Sequence, residues 1–150
     1  MKRQYVEIAG AVSIIASLVF VGVEIRQNTS AIRGATQQEI SSQISDMLAI
    51  TAENERIAYL VDKAFSGATK SELNRVDYSR FRAFATIGLR RIENIYLQHM
   101  NGFLSNEAFE RIGWDYYRSP LLREIWKERK GGFNPEFVLF YEKLRDKEIK

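Results

Sequence analysis

Apolar positions are distributed along this chain in two very different ways. Residues 8–23, IAGAVSIIASLVFVGV, form an uncharged run of 16 residues, flanked by Glu7 and Glu24. Tyr5, Val6 and Ile25 extend it past those acids. After it, apolar and polar residues alternate at helical spacing. As a helix the run is roughly 24 Å long, at about 1.5 Å per residue. A bilayer core is about 30 Å thick and asks for about 20 residues. The run therefore spans only with Glu7 and Glu24 at the two interfaces, where an acid costs less than at mid-depth. It is too long for one ordinary strand, and in lipid a helix satisfies its own backbone groups. The pattern predicts a single transmembrane anchor over residues 1–26. Two other readings stay open: a buried central helix of a soluble oligomer, and a cleaved signal peptide. The second has the basic start Lys2 and Arg3, but VGVEIRQN offers no convincing small-x-small cleavage site.

Residues 27–150 read as a helical stalk and bundle. No proline interrupts residues 24–56, so the first helix is expected to continue to about Ala52. A break near Asn28 or Ser30, with either as a cap, is the alternative. Ile40, Ile44, Met47, Leu48 and Thr51 form the clearer apolar stripe of this stalk. A short helix over about 53–65 carries Ile57, Leu60, Val61, Ala64 and Phe65 on one stripe, and Gly67 suits its left-handed C-terminal cap. The longest helix of the bundle is predicted over about 71–101, capped by Thr69 or Ser71 and broken by Gly102. Its apolar face holds Leu73, Phe84, Ile87, Gly88, Ile92, Ile95, Tyr96 and His99. Ser105 opens a helix to about Tyr117, with Phe109, Ile112, Gly113 and Tyr116 inward. Ser119–Pro120 and Asn134–Pro135 are paired start signals, a capping side chain followed by a proline at the first helical position. Gly131 and Gly132 separate the last two helices. The fold class expected is therefore all-α: one N-terminal membrane-spanning helix continuing into a small helical bundle.

Composition narrows the chemistry. The 150 residues fit one domain, with about 125 left beyond the anchor for a core. Cysteine is absent, which excludes disulfides, thiolate nucleophiles and cysteine metal sites. One histidine, His99, cannot build a multi-histidine zinc site or the paired Glu-x-x-His of a helical di-iron centre. No metal or other cofactor is expected. Gly131–Gly132 lacks the phosphate-loop pattern, and no G-x-S-x-G elbow is present. The net charge of +3 is too mild to imply nucleic acid, although a pI near 9.2 leaves anionic lipid open as a partner.

Two polar or amphipathic clusters remain. Arg75, Arg80, Arg82, Arg90, Arg91, Glu93, Asn94 and Gln98 concentrate on the longest helix, with Tyr96 among them. Arg91, Asn94 and Gln98 share a face beside the apolar stripe. A half-buried arginine needs a carboxylate or carbonyl partner, so Arg90, Arg91, Glu93, Asn94, Tyr96 and Gln98 are expected to form a structural clasp or a ligand pocket. The second cluster is residues 113–133, where Trp114, Tyr116, Tyr117 and Trp126 suit a core or an interface. A third feature lies in the apolar run: Ala9, Ser13 and Ser17 recur every four residues and permit close helix–helix approach. The expected interface residues are Ala9, Ser13, Ser17, Ile40, Ile44, Leu48, Trp114 and Trp126.

The chain resembles a group of uncharacterised small bacterial proteins. The resemblance rests on EIRQNT at residues 24–29, on RRIENIYLQ at residues 90–98, and on FNPEFVLFYEKL at residues 133–144. It covers nearly the whole chain and implies no activity, substrate or cofactor. Three function classes follow. The first is a membrane-anchored scaffold or interaction module that self-associates, with the bilayer, a second copy or another protein as partner. The second is a ligand- or anion-sensing domain using residues 90–98. The third is an enzyme resting on His99 or Glu93. Lys2 and Arg3 before the run balance Arg26 and Arg33 after it, and the free amino group tips the count toward an N-terminus inside. In a bacterial inner membrane the domain would then face the periplasm.

Overall fold

The computed structural model describes residues 2–147, with side chains from residue 10. Among the described residues there are seven α-helices and no strand. They are α1 (Lys2–Glu53), α2 (Glu55–Phe65), α3 (Arg75–Met100), α4 (Glu107–Glu110), α5 (Trp114–Arg118), α6 (Pro120–Arg129) and α7 (Pro135–Arg145). Two compact units divide the chain at 38/39, later than the expected anchor boundary at 26/27.

The described part of the first unit, residues 2–38, lies in α1. The helix runs through residues 28–30 without a break. Its stretch from Gly10 is long and apolar enough to cross a membrane by length and composition, and none of its most apolar window is buried. Leu18, Val19 and Phe20 are exposed. The Ser17 hydroxyl donates to the Ser13 carbonyl at 2.9 Å, within the helix itself. Such a bond meets the hydroxyl's need without a second chain, so here only the small size of the serines favours close approach. The side chain of Ala9, expected on the same face, lies outside the described residues.

The second unit, residues 39–150, is built around α3. Helix α2 begins at Asn54, whose side chain accepts the Ile57 N–H at 3.0 Å. Gly67 follows it with φ +83°, the left-handed geometry that glycine adopts without strain. Thr69 caps a short 3-10 turn, Lys70–Glu72, not α3. The α3 cap is Asn74, which accepts the Val76 and Asp77 N–H groups. Leu60 of α2, Phe81, Leu89, Ile92 and Ile95 of α3, Leu121, Leu122 and Ile125 of α6, and Phe137 of α7 are fully enclosed. Trp126 completes this core. Its ring lies 4.3 Å from Tyr141 and 5.3 Å from Phe133, centroid to centroid, and its indole N–H donates to Glu142 at 2.8 Å. Residues 105–117 form two short helices instead of one, because the chain turns at 111–113 to bury Phe109, Ile112 and Tyr116 together.

The α1 stripe behaves differently along its length. Ile40 is buried in the core of this unit, and Met47 packs against that core. Leu48 is 65% exposed. The residues facing the core recur as 40, 43, 47 and 51, so Ile44 and Leu48 lie off the packed face.

Candidate functional site

The polar face of α3 divides into two arrangements. The first is a clasp, and it belongs to Arg90, not to Arg91. Arg90 donates to the Glu93 carboxylate at 2.6 Å and to the Gly132 carbonyl at 2.7 Å, while its guanidinium lies 4.0 Å from the centroid of the Phe133 ring. The other oxygen of Glu93 accepts the Asn134 N–H at 2.8 Å. One acid therefore joins α3 to the start of α7, where Asn134 also accepts the Glu136 and Phe137 N–H groups. Tyr96 belongs to the core, with its ring 4.8 Å from Phe140 and 5.6 Å from Phe137. A second clasp, which no spacing argument predicted, joins α2 to α3: Arg56 donates through two nitrogens to the buried Asp77 carboxylate. The Arg56 bond holds the Asp77 carboxyl below the usual carboxylate range. Its sequence signal is the pair Asn74 and Asp77, a cap followed by an acid in the first turn.

The second arrangement is a cleft of about 350 Å³ within the unit 39–150. The Glu39-to-Glu53 stretch of α1 supplies Gln43 and Met47; α3 supplies Thr86, Ile87, Arg90, Arg91 and Asn94. Ile87, expected among the apolar face of α3, is 50% exposed at this cleft. Gly88, between Ile87 and Arg90 on α3, sets how closely Met47 of α1 packs beside this cleft. A β-carbon there would stand 2.6 Å from the Tyr117 hydroxyl oxygen and 3.1 Å from the Met47 methyl carbon, so only glycine lets the phenol and the α1 side chain come this close.

Arg91 lies beside that hydroxyl. Burial pushes the Tyr117 phenol up, and the Arg91 charge opposes the push. Among the described residues no ion pair includes Arg91. Its Nε is buried with no hydrogen-bond partner. The expected Arg91–carboxylate clasp is thus replaced by a half-buried guanidinium without an acid, because the acid two residues along α3 turns to Arg90 and Asn134. The other polar groups are partly engaged. Thr86 donates to the Arg82 carbonyl at 2.7 Å, Gln43 donates to Glu39 at 3.0 Å, and Asn94 accepts a long bond from Gln98 at 3.5 Å. No carboxylate lines the cleft.

The remaining expected site residues are dispersed. Trp126 and Ile40 are buried within the chain, which removes them from an interface. Trp114 is half-buried and donates its indole N–H to the Phe109 carbonyl at 2.9 Å. Ser13, Ser17 and Leu48 are exposed, and Ile44 is just over a third exposed. His99 donates through Nδ1 to the Leu104 carbonyl at 3.0 Å and stands edge-on to Phe109, a packing role at the end of α3. Among the described residues no three His, Asp or Glu side chains gather closely enough to hold a metal ion. By sequence, Met47 belongs to the stalk stripe and Tyr117 to the aromatic cluster, and neither they nor Gln43 are expected at a ligand site. The one available signal was Gly88 in the middle of a long apolar helix, a mark of close approach. Neither a family model, a curated protein nor a solved structure matches the chain.

Proposed function

We propose that this protein is a membrane-anchored helical interaction module that self-associates, with the apolar part of α1 as its anchor. One observation carries the reading. A single unbroken helix has an apolar stretch with nothing buried at one end and Ile40 buried in the bundle core at the other. Left in water, that apolar stretch would expose a surface far larger than soluble proteins tolerate. A bilayer covers it, and the small face at Ser13 and Ser17 admits a second helix. Closed two-fold pairing is the simplest outcome for like subunits. We assign the protein to a bacterial inner membrane. Lys2 and Arg3 before the apolar run balance Arg26 and Arg33 after it, so the charge count leaves the side to the protease-access test below.

The test is extraction followed by mass. Full-length protein should stay in the membrane fraction through a carbonate wash. In mild detergent it should scatter light with a protein mass at least twice 17.4 kDa. Leucine at Ser13 and Ser17 should weaken that species through the anchor, and lysine at Ile44 and Leu48 through the exposed side of the stalk. Intact protein recovered in the soluble fraction, or a monomer mass at high concentration, refutes the reading. Protease access in spheroplasts assigns the side.

A further inference from the structure

We infer that the cleft between Met47 of α1 and Ile87 and Arg91 of α3 is a binding site for a small aliphatic monocarboxylate, whose head pairs with Arg91 and whose chain lies on Met47 and Ile87. The inference is independent of membrane anchoring. Charge decides the first part. Of the two arginines at the cleft, Arg90 is already neutralised by Glu93 and bound to the Gly132 carbonyl. Arg91 has no acid among the described residues, and its Nε is a buried donor without an acceptor. Arg91 lines the cleft beside the Tyr117 hydroxyl, and a carboxylate there offsets its charge through a charge-assisted bond. The uncompensated charge in the cleft is one, so a single negative charge balances it. A phosphate carries more charge than these residues neutralise.

Shape decides the second part. Met47 and Ile87 are apolar walls, and methionine adapts to varied aliphatic surfaces. A cleft of about 350 Å³ lies at the small end of ligand sites, which run from about 300 to 1,000 Å³. Asn94 and Gln43 also line the cleft and bring amide donors to its polar side.

The experiment is titration calorimetry of the full chain in lipid nanodiscs, with empty nanodiscs as blank and hexanoate as the probe. Saturable binding of hexanoate is expected, with none for hexanamide, which has the same shape and no charge, and none for inorganic phosphate. Arg91→Met should weaken hexanoate about tenfold or more, the loss of one charge-assisted pair. Should that variant misfold, Ile87→Asp tests the same point from the exposed wall, since its charge repels the ligand without touching the core. Arg82→Gln, at an exposed arginine paired with Glu128, should bind as the parent does. No saturable heat with hexanoate, equal binding of hexanamide or phosphate, parental affinity in either Arg91→Met or Ile87→Asp, or an equal loss in Arg82→Gln would each overturn the assignment.

Discussion

Gly88 is the position where one added carbon says most about this protein. In Gly88→Ala the new methyl meets the Tyr117 hydroxyl oxygen at 2.6 Å, well inside ordinary contact. The phenol cannot swing away freely. Tyr117 is 3% exposed, and its ring is held edge-on by Tyr116 at 5.0 Å and by Trp114 at 6.3 Å. Overpacking of this kind costs about 1–3 kcal/mol. Replacing a mid-helix glycine with alanine returns about 1 kcal/mol of backbone entropy. The net expectation is a loss of up to about 2 kcal/mol. In a Tyr117→Phe background the hydroxyl is gone, and the nearest atom of that ring stands 3.5 Å away, an ordinary contact. Met47, at 3.1 Å, is flexible and can shift. There the alanine should stabilise by up to about 1 kcal/mol. The coupling between the two changes should therefore be about 1–3 kcal/mol, and any separate effect of losing the hydroxyl cancels in the cycle. Thermal unfolding of the four full-length proteins in mild detergent measures it. Both tryptophans, Trp114 and Trp126, lie in the unit that holds the contact, so fluorescence reports the relevant transition. Additive effects, or a Gly88→Ala protein more stable than the parent, would refute the close approach at Gly88.

Glu93→Ala should destabilise by about 1–3 kcal/mol, because it strands the Asn134 N–H as well as Arg90. Arg82→Ala, which loses only a 3.6 Å pair at an exposed side chain, should cost under about 1 kcal/mol. Equal costs for the two would contradict the clasp. Bonds from Arg145, aided by Arg123, hold the Asp146 carboxyl down to about 2, against 3.8 for the ordinary group. A depressed carboxyl stabilises fully above its ordinary value, and that contribution fades as pH falls from about 3.8 toward 2. The melting temperature of Asp146→Asn should fall less steeply than the parent's over this window; parallel curves would show that the pairing does not stabilise the fold. Glu142, lowered first by the Trp126 indole N–H, shifts with the same sign, so Glu142→Gln should flatten the acid limb further.

What the sequence determined by itself are the features fixed by local physics. The uncharged run at 8–23, the start signals Ser119–Pro120 and Asn134–Pro135, and the breaks at Gly67 and Gly102 each depend on a few neighbouring residues. Their readings as one long helix, as caps, as a left-handed turn at Gly67 and as a break at Gly102 need no partner from elsewhere. The buried stripe Leu121, Leu122, Ile125 and Trp126 follows from periodicity in the same way. Only the tertiary structure decided which arginine found an acid. Arg90 and Arg91 are adjacent, and both lie within helical reach of polar partners. Glu93 chose Arg90 because Gly132, Phe133 and Asn134 arrive from about 40 residues further along, a contact no spacing along α3 encodes. The same holds for Ile40 against Ile44 and Leu48. All three read as one stripe, yet the bundle takes the face bearing 40, 43, 47 and 51, because that is the side against which Gly88 lets α3 approach. The cleft is the product of those two long-range choices: one arginine left without an acid, and one glycine that brings α1 close enough to wall it in.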